Sequence, residues 1–124
     1  ELVVNSKLGK LANISIPQMY SPDNLRRLDE KIEETLEIIE THDPMGIVAC
    51  LKGMMERSDT KDVLANSNAL AIYGDKDKFI TDEIRDSLIK EFPNVKHCLV
   101  AGTGHNSFIE NPAQVIELIN EFTK

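Results

Sequence analysis

The stretch Ala69-Leu70-Ala71-Ile72-Tyr73-Gly74-Asp75-Lys76-Asp77 decides how the rest of the chain is read. A short apolar run closed by a glycine is the pattern of a buried strand that turns directly into a loop. Downstream, Thr81 opens an amphipathic helix with Ile84, Leu88 and Ile89 on its apolar face, and Phe92-Pro93 closes it. Residues 95–100 repeat the strand pattern, and Asn111-Pro112 starts a last helix carrying Val115, Ile116, Leu118, Ile119 and Phe122. Two strands joined by a helix predict a parallel pair with a right-handed crossover.

Upstream, residues 1–66 carry helical grammar, with apolar positions recurring three and four apart. Val4, Leu8 and Leu11 mark a first helix, weakened by Gly9 and ending before Ile16-Pro17. Ser21-Pro22-Asp23 signals the start of a second helix running over about 22–40, with Leu25, Leu28, Ile32, Leu36 and Ile39 on one face. Its other face, with Arg26, Arg27, Glu30, Lys31, Glu33, Glu34 and Glu37, has the composition of a solvated surface. Asp43-Pro44 repeats the cap-plus-proline signal for a third helix through Met54-Met55, and a short turn follows at 60–64. Ala65–Asn68 is then the joint between a helical region, 1–66, and a β-α-β-α region, 67–124. The fold class expected is α/β.

Bulk properties narrow the function classes. With 124 residues and 41% hydrophobic content the chain can bury a genuine core. Its formal net charge of −7 sets its field against phosphate backbones and anionic lipid heads, so nucleic acid and membrane surfaces are not the expected partners. Cys50 and Cys98 sit inside apolar runs and read as reduced, buried thiols of a cytoplasmic protein rather than a disulfide. The first residue is Glu1, with no charged-then-apolar leader, which suggests a piece cut from something longer.

Chemistry is expected where the two strands end, because ligands of open parallel sheets gather at the carboxyl ends of strands. The first junction supplies Asp75 and Asp77; the second reads Ala101-Gly102-Thr103-Gly104-His105. Adjacent strands lie roughly 4.8 Å apart, so an acid on one loop can meet a histidine on the next, fixing its tautomer and stabilising its protonated form. Gly102 and Gly104 allow the sharp turn that aims His105 back over the sheet. Alone, Asp77 fits a turn cap and His105 a surface residue; together, in this order, they point to acid–base catalysis.

Other candidates read more simply. Met19, Met45, Met54 and Met55 fit core filler, with the lining of an acyl pocket as the alternative. His42 belongs with Asp43 in a helix cap, and His97 lies on a strand face; neither has partners at ligand spacing, so no metal is expected. Gly102-x-Gly104 is too short for a dinucleotide fingerprint, and no cofactor is expected.

These elements resemble the C-terminal part of the α/β-hydrolase superfamily. The family's order of strand, Gly-x-x-Asp, helix, strand, Gly-His, and then an Asn-Pro or Glu-x-Pro helix start, is met by Gly74–Asp77, Gly104-His105 and Glu110-Asn111-Pro112. The resemblance implies Asp77 as the triad acid, in preference to Asp75, and His105 as the triad base. Ser15-Ile16-Pro17, Ser21-Pro22-Asp23-Asn24-Leu25, Gly46-Ile47-Val48-Ala49 and Gly53-Met54-Met55-Glu56-Arg57 look like the helical lid of small esterase-like members. The nucleophile elbow Gly-x-Ser-x-Gly is missing, since no two of the glycines at 9, 46, 53, 74, 102 and 104 are four apart. The resemblance therefore implies a partial α/β-hydrolase fold whose serine lies outside this chain, with a small acyl or ester substrate belonging to the longer parent. The alternative is a non-catalytic scaffold or a self-associating lid module. A lone parallel pair leaves unpaired edges, so a homo-oligomer formed through a sheet edge or by lid exchange is expected.

Overall fold

A computed structural model describes residues 8–124. It separates into two compact units: the residues up to Pro17 with Arg27–Asp59, and Gln18–Arg26 with Thr60–Lys124. Gln18–Arg26 and residues 60–66 group with the strands in the second unit. Val4, read as part of the first helix, lies outside the described residues.

The first unit holds α1 (Leu8–Ser15), α2 (Asp29–Glu40) and α3 (Pro44–Glu56). α1 lies against α2, and Leu8, Ala12 and Ile32 are the buried residues of the two helices. The helix expected over 22–40 is corrected: Pro22–Asn24 forms only a 3-10 turn, and the α-helix starts at Asp29. Ser21 makes no side-chain cap, so the first turn lacks the acceptor that the signal promised, and the Ser21 backbone N–H donates to the Glu110 carboxylate at 2.9 Å. The second start signal works as read, with the Asp43 carboxylate accepting from the amides of Met45 and Gly46 at 3.1 and 3.2 Å. His42 Nδ1 meets the Ile38 carbonyl at 2.7 Å, which closes the end of α2.

α3 overturns two expectations. It has no buried residue, Met55 is 85% exposed, and Met45, Leu51 and Met54 are exposed as well, so these methionines are not core filler. Cys50 is an exposed free thiol and Cys98 a half-buried one. The physical reason is that apolar residues run around α3 rather than along one stripe, and a helix of that kind needs cover on more than one side.

The second unit holds α4 (Lys61–Ala65), β1 (Leu70–Gly74), α5 (Asp82–Glu91), β2 (Lys96–Val100), α6 (Ser107–Glu110) and α7 (Pro112–Phe122). β1 and β2 pair in parallel, from Leu70 opposite Lys96 to Gly74 opposite Val100. Both strands begin one residue later than the sequence pattern places them, and the single turn α6 was not anticipated. Its Ser107 and Glu110 are both buried, which an apolar periodicity does not flag. The strands are also less buried than an apolar run implies: Gly74 and Val100 are buried, whereas Leu99 is 46% exposed. α6 and α7 pack on the pair, with Val115 buried, while Ile84 and Ile89 of α5 stay largely exposed.

His97 is structural. Its Nε2 meets the Phe92 carbonyl at 3.0 Å, and a carbonyl accepts only, so Nε2 carries the proton and Nδ1 accepts from the Tyr73 hydroxyl at 3.0 Å. The two rings stack with centroids 5.9 Å apart, and burial raises the Tyr73 phenol above its ordinary value against the opposing pull of Arg85.

Gly74, at the end of β1, touches the neighbouring loop so closely that a Cβ there would overlap the carbonyl oxygens of Thr103 and Gly104. These are backbone atoms and cannot swing aside. Gly74→Ala is therefore expected to destabilise the fold by about 3 kcal/mol. Denaturant unfolding measures it, and a loss below about 1 kcal/mol would contradict this packing.

Candidate active site

The parallel register brings the ends of β1 and β2 side by side, so the loops that follow leave from one edge of the sheet. Backbone bonds then stitch them together: Asp75 N–H donates to Val100 O at 3.2 Å, and Lys76 N–H to Thr103 O at 2.8 Å. The Asp75 carboxylate accepts from the amides of Gly102 and Thr103 at 2.7 and 3.2 Å. Gly102 has φ of 71°, the left-handed region where a Cβ is strained, and this turns the chain back toward the first loop. Thr103 is buried, and its hydroxyl donates to Val100 O at 3.0 Å. Asp75 is thus a loop-forming residue.

Asp77 faces the other way. One carboxylate oxygen accepts from the amides of Phe79 and Ile80 at 2.7 and 3.1 Å, holding the side chain in a turn of its own loop. The second oxygen meets His105 Nδ1 at 2.9 Å. The Asp77 side chain is 4% exposed and that of His105 41%, so the acid is shielded while the imidazole reaches solvent. Phe79 packs beside the ring, centroids 5.2 Å apart and tilted by 59°. Both residues singled out as acid and base are therefore in direct contact.

This contact settles the tautomer, because a carboxylate accepts only: Nδ1 carries the proton and Nε2 the lone pair. Burial of Asp77 favours its neutral form. The His105 hydrogen bond, the amides of Phe79 and Ile80 and the attraction to His105 outweigh it, leaving the carboxyl below its ordinary value of 3.8. The arrangement is an ionised acid holding an imidazole by one nitrogen, with the other available to take up a proton. Among the described residues, no serine hydrogen-bonds His105, and no group of His, Cys, Asp and Glu is arranged to hold a metal ion.

Sequence reasoning passed over Glu110, seen there only as part of a helix-start pattern. It is 5% exposed, and its carboxylate accepts from Gly104 N–H at 2.5 Å, Ser21 N–H at 2.9 Å and the Asn24 side-chain amide at 2.7 Å. The one available signal was its position, an acid inside the apolar Phe108-Ile109 stretch next to Asn111-Pro112.

No protein-family model and no curated protein sequence matches the chain. Solved structures do. A thermophilic esterase from Thermogutta terrifontis, determined with malate bound, matches at 26% identity and a TM-score of 0.81 over 94% of this chain and 44% of its own. An alpha/beta hydrolase enzyme from a Medee basin deep-sea metagenome library matches at 20% identity and a TM-score of 0.77, over 98% and 46%. A bromoperoxidase from Bacillus anthracis matches at 21% identity and a TM-score of 0.76, over 98% and 45%. The chain thus has a partial α/β-hydrolase fold, as its last two strand–helix units imply, and spans less than half the length of each of these chains. Among the described residues no helix is long and apolar enough to cross a membrane.

The lowered pKa of Asp77 carries a pH signature. A depressed carboxyl contributes stability above its ordinary value of 3.8, and the contribution is lost as pH falls through the folded-state pKa. The stability gap between the native chain and Asp77→Asn is expected to be present at about pH 6 and to close as pH falls below about 4. Urea unfolding across that range measures it; a gap independent of pH would remove Asp77 as an ionised partner of His105.

Proposed function

We propose that the chain is the acid–base portion of a serine hydrolase of the α/β-hydrolase type, acting on carboxylic esters or related acyl substrates. Asp77 orients His105, and His105 is the general base for a serine outside this chain. The observation that carries the proposal is the 2.9 Å contact between Asp77 and Nδ1 of His105 at the carboxyl ends of two parallel strands. The likeness to an esterase supports the substrate class.

In this mechanism Nε2 takes the serine proton as the serine oxygen attacks the ester carbonyl. The tetrahedral intermediate collapses, and the same proton passes to the departing alcohol. Nε2 then takes a proton from water, whose oxygen attacks the acyl-serine, and returns it to the serine as the acid leaves. Asp77 stays ionised throughout and stabilises the imidazolium. The donors that stabilise the oxyanion belong, like the serine, to the longer polypeptide.

Two outcomes follow. The isolated chain gives no measurable turnover of activated short-chain esters, because an Asp-His pair without nucleophile or oxyanion donors offers only weak base catalysis. In the polypeptide that also carries the serine, His105→Ala lowers kcat by about a thousandfold or more. Turnover by the isolated chain that His105→Ala abolishes, or a serine-bearing parent indifferent to that change, would refute the assignment.

The exposed side chains of Leu99, Ile116, Met54 and Met55 favour a second reading, a self-associating scaffold or lid module. In this alternative, copies pair through a sheet edge or exchange the helical region about Ala65–Asn68. Sedimentation at micromolar concentration is then expected to give a dimer or larger, and a compact monomer across that range would exclude it.

A further inference from the structure

We infer that Glu110 is a positioning residue for His105, acting through the backbone on both sides of the histidine. The inference rests on His105 being the base. Its carboxylate, at 5% exposure, holds Gly104 N–H, the amide immediately before His105, at 2.5 Å. The other oxygen holds the Ser21 amide at 2.9 Å and the Asn24 side chain at 2.7 Å, and that same Asn24 amide group donates to Gly102 O at 2.8 Å. On the far side of the histidine, Asn106 N–H donates to Met19 O at 3.0 Å. The residues flanking His105 are therefore bonded to the segment 19–24 or to the acid that fastens it.

Packing closes the remaining freedom. A Cβ on Gly104 would come within 2.7 Å of the Tyr20 carbonyl carbon and 2.8 Å of Ser21 N, so the two backbones touch with no side chain between them. Asp75 grips Gly102 and Thr103 from the opposite side. With the backbone clamped this way, the imidazole is presented with Nδ1 on Asp77. Gly104, Ser21 and Asn24 each offer Glu110 an N–H group, so an amide in its place turns a donor toward one of these donors. Such a buried mismatch relaxes by moving the loop.

Nuclear magnetic resonance on this chain separates positioning from mere stability. In Glu110→Gln, the His105 Nδ1–H resonance characteristic of a carboxylate-bound ring is expected to be lost. Hydrogen exchange at the Gly104 amide rises by about tenfold or more, while the amides of Tyr73 and Leu99 in the sheet keep their native rates. An unchanged His105 signal in the folded variant overturns the inference, and so does a uniform rise in exchange across the sheet, which marks a purely structural role. If Glu110→Gln does not fold, Asn24→Ala relaxes the same clamp from its half-exposed end. It is expected to shift the His105 signal in the same direction, and a folded Asn24→Ala with a native His105 signal overturns the inference. The two failures are distinguishable: a serine-bearing parent whose turnover is unchanged by His105→Ala sinks the hydrolase proposal and the role of His105 as base, whereas a native His105 signal in Glu110→Gln sinks only the positioning role of Glu110.

Discussion

Parallel pairing of Leu70–Gly74 with Lys96–Val100 is the constraint on which the site depends. A parallel partner requires a crossover, here α5, and returns the chain in the same direction, so both strands deliver their following loops to one edge. An antiparallel pair would place the aspartate and histidine loops at opposite ends. Once the loops share an edge, short-range chemistry assigns the roles. Asp75 is drawn into the backbone of the second loop, and Asp77, two residues on, is turned toward His105. The same close approach explains why Gly74 and Gly104 stand at the points where backbone meets backbone.

The site works by dividing labour among three carboxylates. Asp75 shapes the turn, Asp77 holds the imidazole, and Glu110 fastens the turn to the segment at 19–24. Each accepts from N–H groups, and the donors are mostly backbone amides, which cannot rotate away as side chains do. That rigidity suits a general base, whose reach to a proton tolerates little misplacement. The 41% exposure of the His105 side chain against 4% for that of Asp77 leaves the imidazole open to solvent while its carboxylate partner stays shielded.

Much of this was legible in the sequence because its signals are local. A strand-length apolar run before Gly74, proline after a capping Asp43 or Asn111, and Gly-His after a second run each report a backbone event within a few residues. What was illegible depends on contacts distant in sequence. The Ser21-Pro22 signal opens only a 3-10 turn, and the Ser21 amide goes to Glu110, 89 residues along the chain, a contact that no local signal reports. Cys50 and Met55 have core composition yet lie exposed, since hydrophobicity says a residue gains from cover but not which element supplies it. Glu110 itself carries no periodicity; its role exists only when three separate segments converge.

The central claim is that Asp77 holds His105 by Nδ1 and leaves Nε2 as the base. Nitrogen-15 resonance of the His105 ring in its neutral form tests it most directly. The native chain is expected to show a protonated Nδ1 and a bare Nε2, with that preference lost in Asp77→Asn. A native ring protonated at Nε2, or one indifferent to the loss of the Asp77 carboxylate, would contradict it.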